Sequence, residues 1–222
     1  MCGRFTIMLD ADDLKEILGL NSVPDDWRPR YNVAPTQPVA VVTDANLRQV
    51  EWMRWGLIPS WAKDMEIGSR LINARSETVT EKPSFRSAFT RRRCVLLADG
   101  FYEWQRSAEK KAPAIPYFFY REGHKPFGFA GLWEIWRNPA GEDIRSCTIL
   151  TTTANEIVRP VHDRMPVLLD ETNMWSWILP AEPEKHLALL KPYPVEKMES
   201  HIVSKIVNDP ARDVPECVDP IE

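Results

Sequence analysis

The 222-residue sequence has no glycine-rich phosphate loop, no His-Glu-x-x-His segment and no Gly-x-Ser-x-Gly elbow. Those absences remove the usual sequence grounds for nucleotide hydrolysis, zinc peptidase and serine hydrolase chemistry. Its four cysteines, at positions 2, 94, 147 and 217, include no Cys-x-x-Cys pair, so neither a zinc ribbon nor a redox dithiol is indicated. Cys94 and Cys147 lie in apolar, strand-like runs and read as small buried hydrophobes. No apolar run approaches the roughly 18–20 residues of a membrane span. The N-terminal run from Met1 to Leu9 lacks the charged start and long apolar stretch of a signal peptide. A cytoplasmic protein is expected, in a reducing compartment where Cys2 stays a thiol. A basic excess is also missing, the net charge being −4. Phosphate binding depends on the charge of one face rather than the total. The arginines at 86 and 91 to 93 lie apart from the acidic residues near Asp10 to Asp13 and Asp25 to Asp26.

What is present is proline and tryptophan, 19 and 9 residues respectively. Prolines at that density break long helices and favour short elements joined by rigid turns. With 44% hydrophobic and 27% charged residues the chain reads as globular. The expected class is α+β, a β-rich mixed sheet folded into a pseudo-barrel with short peripheral helices, in one domain over residues 1–222. Asp10 followed by Leu14, Ile17 and Leu18 predicts a capped helix ended by Gly19. Residues 24–38 read as a proline-punctuated loop and residues 58–70 as a second long loop. Strands are expected at 39–43, 49–57, 94–98, 101–105, 117–120, 127–136, 147–152 and 165–169. Short helices are expected near 74–79, 84–89, 171–178 and 184–190, with a strand and a helical turn within 195–207.

Cys2 is the first candidate for chemistry. Loss of Met1 would leave an α-amine and a thiol on one residue, titrating near ~8 and ~8.5. Such an aminothiol condenses with an aldehyde to a Schiff base, and the thiol then closes a thiazolidine ring. The same residue could instead act as an acyl-transfer nucleophile, or be an inert cysteine. His162, in His-Asp-Arg-Met-Pro, could move protons or simply pair with Asp163 at the surface. Glu103, in Phe-Tyr-Glu-Trp, is either a carboxylate among aromatics or a wet-face residue. Asn73 and Glu77 suit a helix start, a reading that leaves Arg75 over for a phosphate. Tryptophans 52, 55 and 61 with prolines 35, 38 and 59 suit either core packing or base stacking. Arg91 to Arg93 read as a solvated face, or as a phosphate patch if a site lies alongside.

The order of these segments is more specific than any one of them. Met-Cys-Gly-Arg-Phe at the start, Tyr-Asn-Val-Ala-Pro-Thr at 31–36, Trp-Gly-Leu-Ile-Pro at 55–59, Ile-Asn-Ala-Arg-Ser-Glu at 72–77, Ala-Asp-Gly-Phe-Tyr-Glu-Trp at 98–104 and His-Asp-Arg-Met-Pro at 162–166 together resemble the SOS-response-associated peptidase family, the abasic-site processing proteins. The resemblance runs from residue 2 to about Asn208, on the pattern of a bacterial single domain. It implies a covalent thiazolidine between Cys2 and the ring-opened sugar of an abasic site in single-stranded DNA. Glu103 would shuttle protons, His162 would help open the sugar and assist reversal, and Asn73 would position the amine or sugar. Arg4, Arg75 and Arg164 would contact phosphates, and Trp61 and Pro38 the neighbouring bases. The resemblance also implies a monomer with N-terminal self-processing and weak lyase activity, and calls for no metal or organic cofactor. With Met1 attached the Cys2 nitrogen is an amide, so that form would be a precursor. The competing expectations are an N-terminal-nucleophile cysteine peptidase or amidase, and a non-covalent single-strand binding module.

Overall fold

Val39 and Val41 project to one side of a strand and Ala40 and Val42 to the other, and all four are buried. Cys94, Leu96 and Ala98 alternate in the same way with Val95 and Leu97. Strands buried on both faces need cover on both. In the computed structural model, which describes residues 2–106 and 113–221, a closed ring of strands provides it.

The strands are β1 (Phe5–Ile7), β2 (Arg30–Val33), β3 (Pro38–Val42), β4 (Val50–Trp55), β5 (Asn73–Arg75), β6 (Arg93–Ala98), β7 (Gly100–Gln105), β8 (Ile115–Arg121), β9 (Phe127–Arg137), β10 (Asp143–Thr153), β11 (Arg164–Pro166), β12 (Leu168–Leu169) and β13 (Met198–Ile202). The ring runs β10-β4-β3-β6-β9 and closes where β9 pairs with β10. Its β10–β4 contact is parallel and the others are antiparallel, so it is a mixed barrel. A second, all-antiparallel sheet has the order β13-β8-β7-β1-β2.

The helices are short: α1 (Ala11–Leu18), α2 (Arg86–Arg91), α3 (Asn173–Ile178) and α4 (Pro183–Leu187). Leu14 of α1, Phe89 of α2 and Trp177 of α3 join the core cluster that holds Ala40, Val42, Val95 and Leu97, so that face is the outside of the ring. The inner cluster holds Val39, Val41, Trp55, Leu96, Phe129 and Ile149, together with Phe5, Phe101 and Phe119 from the second sheet. Cys2 belongs to this inner cluster and is fully buried. Helix α1 starts and stops as expected: Asp10 accepts from the amides of Asp12 and Asp13, and Gly19 turns left-handed at φ 63°.

Three expectations are corrected. The loop at 24–38 contains strand β2, paired with β1. The helix expected at 74–79 is strand β5 followed by a short 3-10 turn, Ser76–Thr78. β5 is held by parallel pairing to Ile149, Leu150 and Thr151, a long-range contact that overrides local propensity. The single strand expected at 165–169 is split into β11, paired with β10, and β12, paired with β9.

Candidate functional site around Cys2

Three segments meet at Cys2, and a fourth, the His162 loop, is tied to one of them. Strand β1 begins three residues after Cys2, and the Tyr102 amide donates to the Arg4 carbonyl at 3.0 Å, fastening this end of the chain to β7. Asn73, the first residue of β5, donates from Nδ2 to the Cys2 carbonyl at 2.7 Å. The other side-chain atom of Asn73, Oδ1, is buried and has no hydrogen-bond partner among the described residues, so it is available to a donor entering the site. Asn73 is therefore not a helix cap. Its side chain holds the Cys2 backbone.

Glu103 is 3% exposed. Both faces of β7 are covered: Phe101 enters the inner cluster, and Tyr102 packs with Phe118 on the other side, so Glu103 has no wet face. Burial, with the charge of Asp163 adding to it, pushes its carboxyl up to about 7. Burial, and then the Glu103 charge, push the Cys2 thiol well above its ordinary range, so at neutral pH the thiol keeps its proton.

His162 lies on a loop fixed by several bonds. Its amide donates to the Val158 carbonyl at 2.9 Å, and the Ala154 amide donates to the Asp163 carbonyl at 3.0 Å. Gln105 Nε2, at the end of β7, donates to the Pro160 carbonyl at 3.1 Å, which brings the Glu103 strand to the His162 loop. The Arg164 amide donates to His162 Nδ1 at 3.0 Å, so a neutral ring carries its proton on Nε2. Asp163 Oδ1 is also 3.0 Å from Nδ1, but its side chain is 88% exposed, and the backbone amide decides the tautomer. Burial lowers the His162 imidazole below its ordinary value, keeping it neutral near pH 7.

The three arginines differ in what they can reach. Arg75 is exposed, two residues beyond Asn73. Arg164 is 9% exposed and makes a two-pronged pair with Glu77 at 2.6 and 2.9 Å, with a further bond to the Thr151 carbonyl at 2.6 Å. The Arg4 guanidinium is taken up by Asn32 Oδ1 and the Val207 carbonyl, both at 2.7 Å. Trp61 is 59% exposed and lines a hollow with Lys63, Arg70 and Leu71, which leads by chain into Asn73. Pro38 is exposed and lines a separate hollow with Asp26, Arg28, Arg30 and Trp52. Trp55 is core, and Trp52 stacks on Trp27. Arg91 is exposed, but Arg92 pairs with Glu134 at 2.6 Å and Arg93 donates to the carbonyls of Phe89, Thr90 and Trp177. The triple arginine thus serves mainly the fold. Sequence reasoning missed the Glu77–Arg164 pair and the Asn32 anchor, both set by contacts distant in sequence.

A mixed barrel that buries Cys2 beside Asn73 and Glu103, with the His162 loop tied to the end of the Glu103 strand, defines a class of protein built around a cysteine at its second position. The chain belongs to the SOS response associated peptidase (SRAP) family, whose model matches residues 1–210. It is 42% identical over 224 residues to the abasic site processing protein YoqW of Bacillus subtilis (strain 168), covering 99% of each chain. It is 32% identical over 260 residues to the abasic site processing protein HMCES of Xenopus tropicalis, covering 98% of this chain and 78% of that one. A crystal structure of a protein from Bacteroides thetaiotaomicron superposes with a TM-score of 0.90 at 26% identity, covering all of both chains.

Proposed function

We propose that this protein processes abasic sites in single-stranded DNA by bonding covalently to them through Cys2. The observation that carries the reading is the placement of Asn73 and Glu103 at Cys2, with the His162 loop tied to the end of the Glu103 strand. The names of the relatives supply the substrate. Met1 lies outside the described residues, and the chemistry begins once it has been removed.

The free Cys2 amine attacks the aldehyde carbon of the ring-opened sugar, giving a carbinolamine. Glu103, still partly protonated near pH 7, gives its proton to the departing hydroxyl, and water leaves an iminium. The Cys2 thiol then adds to the iminium carbon. Its proton passes to Glu103 and the C=N π pair moves onto nitrogen, closing the thiazolidine. A thiol held protonated by burial suits this order, with amine first and sulfur second. A peptidase that uses Cys2 as its nucleophile needs the thiolate that burial disfavours. Neutral His162 assists sugar opening, and the reverse reaction, as an acid–base group of different intrinsic pKa. Asn73 holds the Cys2 carbonyl and offers its buried Oδ1 to the amine or sugar. Arg75 makes the nearest phosphate contact, with Arg164 behind it against Glu77. Trp61 and Pro38 meet the flanking bases. Elimination from the iminium would account for weak lyase activity, and removal of Met1 by the site itself, by a route that does not use the Cys2 thiolate, for self-processing.

The test is denaturing electrophoresis with single-stranded DNA carrying one abasic site. Wild type with a verified free Cys2 should give a heat-stable shifted band, and neither Cys2→Ala nor a form retaining Met1 should. Absence of the band from verified wild type would remove the proposal.

A further inference from the structure

Arg4 is two residues from Cys2, and its side chain does not point at solvent phosphate. Nη1 donates to Asn32 Oδ1 and to the Val207 carbonyl at 2.7 Å each, and Nη2 to the Asn208 carbonyl at 3.4 Å. The guanidinium carbon lies 5.8 Å from the ring centre of Trp104, and Trp104 Nε1 donates to Asn208 Oδ1 at 2.7 Å. Asn32 is fully buried. Its Nδ2 faces three carbonyls of the same C-terminal segment: Val207 at 3.2 Å, Asp209 at 3.0 Å and Arg212 at 2.6 Å. Asp213 closes the segment, accepting from the amides of Tyr31 and Asn32 at 2.6 and 2.9 Å and from Arg30 Nε.

We infer that residues 207–213 form a strap that fixes the reactive chain end through Asn32 and Arg4, and that Arg4 is a positioning residue for the Cys2 reaction rather than a phosphate ligand. The inference rests on the function proposed above. The segment from Cys2 to Arg4 is pinned at one end by Asn73 on the Cys2 carbonyl. At the other end the Tyr102 amide holds the Arg4 backbone and the strap holds its side chain. A planar fork meeting an amide oxygen and two backbone carbonyls is work that lysine, a single rotatable ammonium, does not reproduce. Loosening the pin widens the spread of amine and thiol positions against Glu103. A displacement of about 1 Å in such a geometry can cost about 100-fold in rate.

The experiment separates rate from affinity. Single-turnover adduct formation is followed for wild type, Arg4→Lys, Arg4→Met and Asn32→Ala, with thermal unfolding of each. Non-covalent binding is measured by anisotropy across a salt series, using single-stranded DNA with a tetrahydrofuran abasic analogue, which has no aldehyde. Positioning requires all three variants, Arg4→Lys included, to slow adduct formation about tenfold or more, with affinity and salt slope as in wild type. Two results would overturn it. One is an Arg4→Lys rate equal to wild type. The other is weaker binding by Arg4→Met, with a salt slope reduced by about 0.7, the mark of a lost phosphate contact. Arg4→Lys keeps the charge and the aliphatic stem, so it decides the matter if the other variants fail to fold. If wild type itself forms no adduct, it is the function of the site that fails.

Discussion

At the scale of single residues, Glu103 carries the most exposed claim. Its carboxyl is raised from 4.5 to about 7, chiefly by burial. A raised carboxyl means that the folded state binds its proton more tightly than the unfolded chain does. The associated stability is complete below pH 4.5 and is lost as pH rises through about 7. Asp99, pushed up to about 6 by burial, acts in the same direction over a lower window. We expect Glu103→Gln to flatten the loss of stability between pH 5 and 8, by on the order of 3 kcal/mol, in urea unfolding at several pH values. The same substitution should slow adduct formation by about 10²–10⁴-fold. A rate close to wild type would assign the proton transfer elsewhere. Asn73→Ala should lose at least about tenfold in rate, because the Cys2 carbonyl and the incoming group both lose their polar contact.

At the scale of elements, local signals and long-range ones had different fates. Helix α1 was readable because its cap, apolar face and terminal glycine all lie within ten consecutive positions. The long strands β9 and β10 were readable from their apolar runs. Strands β1 and β2 have three and four residues, too few for a period to show, and they exist because each pairs with the other or with β7. Asn73 illustrates the limit best. Asn-Ala-Arg-Ser-Glu is a fair helix start locally, yet partners about 76 residues away, in β10, make it a strand. The candidate site was legible as a set of motifs in order. The commitments of Arg4 and Arg164 were not, since both depend on which carbonyls and carboxylates the fold delivers. One contact between elements is directly testable. A Cβ on Gly68 would lie 2.6 Å from the Gly56 carbonyl oxygen, and one on Gly56, at φ 120°, would lie 2.5 Å from the Gly68 carbonyl oxygen. Both neighbours are backbone and cannot swing aside. Gly68→Ala should therefore destabilise by about 1–3 kcal/mol and shift the loop that bears Trp61. Unchanged thermal stability would mean that the two loops separate freely.

At the scale of the whole molecule, Cys2 belongs to the inner core rather than to the surface. All four cysteines are free and buried. We expect thiol titration of the native protein to be slow for every one of them, and all four to react at once in guanidinium. Rapid reaction of one native thiol, mapped to Cys2 by peptide mass, would mean that the chain end opens independently of the barrel. The net charge of −4 makes any attraction to DNA a local matter of exposed groups such as Arg75, Lys63 and Arg70 rather than of the total.

The placement of Cys2 inside the hydrophobic cluster has a consequence for time as well as for chemistry. On the function proposed above, a bond made there is surrounded by the same packing that keeps the barrel folded, and unfolding exposes it to small nucleophiles in solution. Where unfolding is the route of exposure, the durability of such a link follows the unfolding rate of the protein. A substitution far from the site that hastens unfolding would shorten the interval during which the lesion stays covered, without altering a single reacting atom.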